Sequence, residues 1–231
     1  MRELPIPFNT EMVKAILEGR KTMTRRIVGN DPYRPNYLGC LCDGTHIGRW
    51  AGTKRNEGTL WAGFYKESDI FYIDGEKRID AVYKKCPYGQ SGDKLWVRET
   101  WKCTKYNNMD GDLGYEVEFK DGTRKYFEFD DNERFHQFGK FAFKNGWQSP
   151  YFMPKEAARI WLEVTNVRVE RLQEISDTDA WAEGIVDDVP FGTAATKFKE
   201  LWDSLNSKRG YGWDANPWVW VIEFKRIGGT P

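Results

Sequence analysis

Apolar residues first recur at helical spacing near the start of the chain, where Val13, Ile16 and Leu17 form one stripe. Asn9 precedes that stripe as a cap, and Glu11 meets the positive end of the helix dipole. Phe8 and Val13 have the spacing of a hydrophobic staple, and Gly19 offers the left-handed turn that ends many helices. Further on the period shortens. Thr59–Tyr65 and Ile70–Ile73 are aromatic runs beside a polar, glycine-dotted stretch over 29–63, and they read as strands. After the turn Ser91-Gly92-Asp93, Leu95 and Val97 alternate with Trp96 and Arg98, which predicts a strand over 95–99 with Arg98 on the face opposite Val97 and Glu99.

Residues 106–143 are acidic and aromatic, with Asp110-Gly111 and Asp121-Gly122 suited to hairpin turns. The clearest strand lies over 158–170, where Ile160, Leu162 and Val164 alternate before Val167 and Val169 resume the pattern. Ser176 heads a helix that carries Ala180 to Glu183 and stops at Gly184. A second helix follows Thr193, with Phe198, Leu201, Trp202 and Leu205 at helical spacing. Beyond Pro217, a final strand has Trp218, Trp220, Ile222 and Phe224 on one face and Val219 and Val221 on the other, a sign of burial on both sides. The fold class is α+β.

Composition narrows the function. Thirty-five basic residues balance 35 acidic ones over 231 positions. A protein that coats nucleic-acid backbone draws its affinity from a basic footprint, so long duplex contacts are not expected. A small ligand, or a short piece of single-stranded RNA held in a pocket, suits the balance better. Hydrophobic residues make up 40%, enough for a real core. No apolar run approaches a membrane span, and the N-terminus lacks a signal pattern, so the expected location is the cytoplasm without membrane attachment.

Chemistry concentrates in Gly19-Arg20-Lys21-Thr22-Met23-Thr24-Arg25-Arg26, just after the first helix. Basic residues there often do no more than bond the free helix carbonyls, and that reading suits Arg20 and Arg25. It leaves the Lys21-x-x-Thr24-x-Arg26 arrangement unexplained. This segment resembles the Gly-x-Lys-x-x-Glu-x-Arg signature of the ASCH domain, a small β-barrel of the PUA-like superfamily, with Thr24 in the acidic position. Threonine at that place resembles the ASCH branch of bacterial amidohydrolases acting on N4-acetylcytidine. That branch also uses a glutamate in an Ala-x-x-Glu segment, which Ala180-Trp181-Ala182-Glu183 matches. The segments from Gly92 to Trp101 and from Trp213 to Trp220 are similar to larger ASCH proteins of phages and prophages. The resemblance covers about half of the chain. It implies a single ASCH/PUA-like domain over 1–231, a barrel with flanking helices, and aromatic-rich insertions at about 28–90 and 102–146.

The resemblance implies a catalytic set of Lys21, Thr24 and Glu183. A hydroxyl is a poor nucleophile until a base takes its proton, and a lysine serves only when burial or another cation lowers its pKa. Thr24 then attacks the acyl carbon or orients a water. Glu183 carries a proton to the leaving amine or holds Lys21, and Arg26 steadies the oxyanion or a phosphate. Arg98, Glu99 and Trp101 read either as contacts to a base edge or as a strand-end ion pair beside a core tryptophan. The expected function is an amidohydrolase of an N4-acylated cytidine or related modified nucleoside, working without a cofactor. Two alternatives remain: a non-catalytic module for RNA or a modified base, and a ribonuclease.

Cys40-x-Cys42 with His46, plus Cys86 and Cys103, is the remaining candidate cluster. Its spacing is tighter than the usual zinc knuckle and it lacks a second pair, so these are read as free thiols and no metal site is expected. With His46 and His136 the only histidines, histidine-based catalysis is not favoured.

Overall fold

The computed structural model describes residues 1–28, 49–56, 59–65, 70–73, 76–79, 82–107, 114–142, 144, 146–186 and 193–228, and the side chains of these except over 49–85 and at 106, 107 and 142. Together they make a mixed α+β protein whose chain divides into two compact units. Unit one comprises Met1–Gly19, Lys94–Glu163 and Arg226–Pro231; unit two comprises Arg20–Asp93 and Val164–Lys225. The expected insertion at about 28–90 falls in unit two and the one at 102–146 in unit one.

Unit one opens with β1 (Glu3–Pro7), which pairs in parallel with β8 (Lys94–Arg98). Pro5 and Pro7 remove two ladder donors, which suits the edge place β1 takes beside β8. Between them in sequence, α1 (Thr10–Leu17) is capped by Asn9, whose side chain accepts from the Met12 amide at 2.8 Å. Phe8 and Val13, the expected staple, are both buried. Gly19 takes φ +76° and ends the turn, and Arg226 donates to the Leu17 carbonyl at 3.1 Å. On the far side of β8 lie the first residues of β12 (Trp161–Arg171), with Leu162 opposite Leu95.

The strands β9 (Trp101–Asn107), β10 (Gly114–Phe119) and β11 (Arg124–Glu128) form a second, antiparallel sheet. The expected Asp121-Gly122 turn joins β10 to β11, with Gly122 at φ +84° and its amide donating to the Phe119 carbonyl at 3.0 Å. Across this sheet packs α2 (Asn132–Ala142), which the aromatic pattern had not suggested. Its Phe135 and Phe138, one turn apart, stack on Tyr115 and Trp101 at centroid distances of 4.8 and 5.2 Å. The Tyr115 hydroxyl donates to the Phe135 carbonyl at 2.9 Å, satisfying the one polar atom that this ring buries.

Unit two carries β2 (Met23–Ile27) antiparallel to β13 (Trp218–Ile227), which adjoins β12. Val219, Trp220, Val221 and Ile222 are all buried, so the final strand is covered on both faces, as its sequence predicts. The helices α3 (Asp177–Ala182) and α4 (Ala194–Asn206) start at caps Ser176 and Thr193. Phe198 and Trp202 enter the core with Met23, Leu172, Ala180, Val219 and Val221. Leu205 departs from its expected place: it is exposed, and Asn206 is buried instead, its amide donating to the Trp202 carbonyl at 3.1 Å. The same unit contains β3 (Arg49–Asn56), β4 (Thr59–Tyr65) and β7 (Val82–Lys85) in one sheet and β5 (Ile70–Ile73) with β6 (Glu76–Ile79) in another. The aromatic runs at Thr59–Tyr65 and Ile70–Ile73 are therefore strands, as expected. None of the described strand orders closes on itself, so no closed barrel is found among the described residues. The Asp110-Gly111 turn lies outside them.

Candidate functional site

Two main-chain contacts in unit two fix the segment that follows Arg20. The Thr22 amide donates to the Ala182 carbonyl at 2.8 Å, and the Thr22 carbonyl accepts from the Phe224 amide at 2.8 Å. Between them, Lys21 and Glu183 form a bridge of the antiparallel kind. Glu183 occupies the C-cap of α3, where Gly184 at φ +91° ends the helix. The local sequence thus presents a lysine and a glutamate from two chain turns that face each other.

The Lys21 Nζ donates to Glu183 Oε2 at 2.6 Å and to the Glu183 carbonyl at 2.8 Å. Both residues are buried, at 2% and 6% exposure. Burial lowers the Lys21 pKa; the Glu183 carboxylate opposes that, while the Arg26 and Arg25 guanidinium groups add to it. A lysine in this setting holds its proton less firmly than one in water. Arg20 does bond a helix end, but it is the Gly184 carbonyl after α3, at 2.9 Å, rather than a carbonyl of α1.

Thr24 is buried in β2, opposite Ile222 in the register with β13. Strand alternation places Thr24 and Arg26 on the face shared with Trp220 and Ile222, and Met23 and Arg25 on the face shared with Val221. The side-chain hydrogen bonds of Glu183 run to Lys21 and to Arg25 among the described residues. Lys21 and Glu183 are thus brought together directly, with Arg26 near enough to act on the lysine electrostatically.

Sequence reasoning missed Arg25. Its side chain is wholly buried and reaches Asp179 at 2.6 Å, Glu183 at 3.5 Å and Glu170, with Nε 3.0 Å from the Glu170 carboxylate. Arg168 extends the network, donating to Asp179 at 2.7 Å, to Glu170 at 3.0 Å and to Glu223. The signal was available. Met23, Arg25 and Ile27 alternate along β2, so an apolar face carries an arginine that must find partners.

Arg98, Glu99 and Trp101 belong to unit one. The Arg98 guanidinium lies 4.5 Å from the centroid of the Trp96 ring. Glu99 is gripped in plane by Arg159, at 2.9 Å from Nε and 2.7 Å from Nη2, and Arg159 continues to Asp121 at 2.8 Å. Burial raises the Glu99 pKa, against the lowering effect of Arg159. Trp101 is wholly buried, stacked on Phe138 and edged by Phe141 at 6.5 Å. These contacts are those of an ion pair beside a core tryptophan.

Cys40, Cys42 and His46 lie outside the described residues. Cys86 is a buried cysteine, and burial pushes the Cys103 thiol up to about 11. No group of three or more His, Cys, Asp or Glu side chains among the described residues is placed to hold a metal ion. No helix among them is long and apolar enough to cross a membrane. Comparison with protein-family models, curated proteins and solved structures returns no match.

Proposed function

We propose that the protein is an amide hydrolase, removing an acyl group from an N4-acylated cytidine or a related modified nucleoside in the cytoplasm. The scaffold proposed with it is an ASCH-type, PUA-like barrel. The reading is supported chiefly by the Lys21 ammonium, buried at 2.6 Å from the Glu183 carboxylate, which pairs a lysine of lowered pKa with an acid. A lysine whose pKa is lowered by burial can act as a base, and the carboxylate that it bonds can pass the proton on.

In this mechanism the neutral Lys21 amine takes the Thr24 hydroxyl proton as Oγ bonds to the acyl carbon. The carbonyl oxygen becomes an oxyanion, and Arg26 is the cation assigned to it. As the intermediate collapses, the C–N bond breaks and the departing N4 amine takes the proton through Glu183. Water then attacks the Thr24 ester by the same proton path, releasing the carboxylic acid and restoring the hydroxyl. The net change is amide plus water to amine plus acid. Arg25 keeps Glu183 in position by holding its second oxygen.

Incubation of the full chain with N4-acetylcytidine, followed by chromatography for cytidine and acetate, tests the proposal. Turnover that disappears in Lys21→Met and in Thr24→Val supports it. No turnover, together with single-stranded RNA binding that falls steeply with salt, favours a non-catalytic binding module. RNA degradation lost in Lys21→Met favours a ribonuclease.

A further inference from the structure

One face of α1 has no role in the Lys21–Glu183 chemistry. Thr10, Val13, Lys14 and Leu17, at spacings of three, four and seven, line a cavity of about 320 Å³ within unit one. Its other walls come from Thr100, from Glu99 with Arg159, and from Lys120 with Asp121 at the β10–β11 turn. A volume at the lower end of the ligand-pocket range, about 300 Å³ upward, suits a body of one ring rather than a chain of nucleotides.

The charges of this lining do not cancel. Arg159 is committed to Glu99 and Asp121, and its guanidinium also lies 4.2 Å from the centroid of the Phe119 ring. That trio is tied together, and the remaining Nη1 of the arginine donates to the Thr123 hydroxyl. Lys14 has no carboxylate partner among the described residues, and neither has Lys120. The Lys120 ammonium lies 3.9 Å from the centroid of the Trp147 ring, a contact that stabilises a cation without neutralising it. Three cations against two carboxylates leave the cavity net positive, while Val13 and Leu17 give it an apolar wall.

We propose that this cavity binds a small organic anion, with a compact apolar body against Val13 and Leu17 and its charged group served by Lys14 and Lys120. The Thr10 and Thr100 hydroxyls offer the remaining hydrogen bonds. Occupancy here is independent of the hydrolase reading.

The test uses the full chain labelled with ¹⁵N and three probes of one ring each: phenyl phosphate, benzoate and benzyl alcohol. Saturable amide shifts at Lys14, Thr100 and Lys120 are expected with phenyl phosphate, benzoate or both, and the tighter of the two identifies the anionic group. Lys14→Glu and Lys120→Glu should each weaken that binding by about tenfold, the loss of one charge-assisted contact. Both positions are exposed, so the variants should keep the wild-type spectrum elsewhere; Lys14→Gln and Lys120→Gln replace them if they do not. Benzyl alcohol binding as tightly as the anions, no saturable shift with either anion, or charge reversals without effect would each overturn the proposal.

Discussion

Lys21 and Glu183 are joined twice, through the carboxylate and through the main-chain carbonyl, although 162 residues separate them in sequence. Two chain turns are therefore locked by one buried ammonium. Removing one partner strands the other. Loss of one member of a buried pair costs about 3–5 kcal/mol, whereas replacing both with groups of similar volume is often close to neutral. Lys21→Met and Glu183→Leu should each lower the urea midpoint sharply, and the double variant should recover most of the loss. A double variant no more stable than the singles would mean that packing, not charge, sets the cost.

The pH dependence of that pair has a definite sign. Lys21 has a lower pKa folded than unfolded, so the unfolded chain binds more protons between the two values. The burial penalty is at full strength below the lowered folded value. It is relieved as pH rises toward the unfolded value of about 10.4. Unfolding free energies measured against Lys21→Met should therefore move in favour of wild type as pH climbs through that window. A difference that stays flat up to pH 10 would contradict a lowered pKa.

Arg25 carries a sharper demand than a point charge. Its fork meets Asp179, Glu183 and Glu170 at once, inside a face built from Met23, Val219 and Val221. A lysine supplies the charge without the planar set of donors. Arg25→Lys should destabilise the protein by about 3 kcal/mol, nearly as much as Arg25→Met, because the buried Glu183 and the half-buried Glu170 and Asp179 lose the fork that serves them together. Thermal unfolding of both variants gives the comparison; Arg25→Lys at wild-type stability would show that geometry is unimportant there.

Trp101 tests the division between core and binding surface. Its ring is wholly buried between Phe138 and Phe141. Trp101→Ala should cost about 3–5 kcal/mol, in the range of large-to-small core changes. Trp101→Phe keeps the stacking and should cost much less. RNA or nucleoside affinity lost in a still-folded Trp101→Phe would return this residue to the base-reading role.

Much of the scaffold was legible from local chemistry. Asn9, Ser176 and Thr193 each accept an amide of the helix they precede, because short polar side chains satisfy donors that the first turn leaves open. The even burial of Val219 to Ile222 was written in their composition. The helix Asn132–Ala142 was not: Phe135, Phe138 and Phe141 lie on one side of it, but in an aromatic stretch with Gly139 they look as much like strand as helix. Partners were hidden too. The apolar neighbours Met23 and Ile27 mark Arg25 as inward-facing, but its partners Glu170 and Asp179 lie 145 and 154 positions away in sequence and only the fold brings them to it. The Lys21–Glu183 juxtaposition was reachable through resemblance alone, since no periodicity links positions so far apart.

The base role of Lys21 is tested most directly by following its side-chain ¹³Cε resonance with pH in the folded protein. Titration clearly below the ordinary lysine value of about 10.4, shifting when Glu183 is replaced by Gln, is the expected result. A Lys21 that titrates at or above that value, indifferent to the glutamate, would contradict the proposed chemistry at its root.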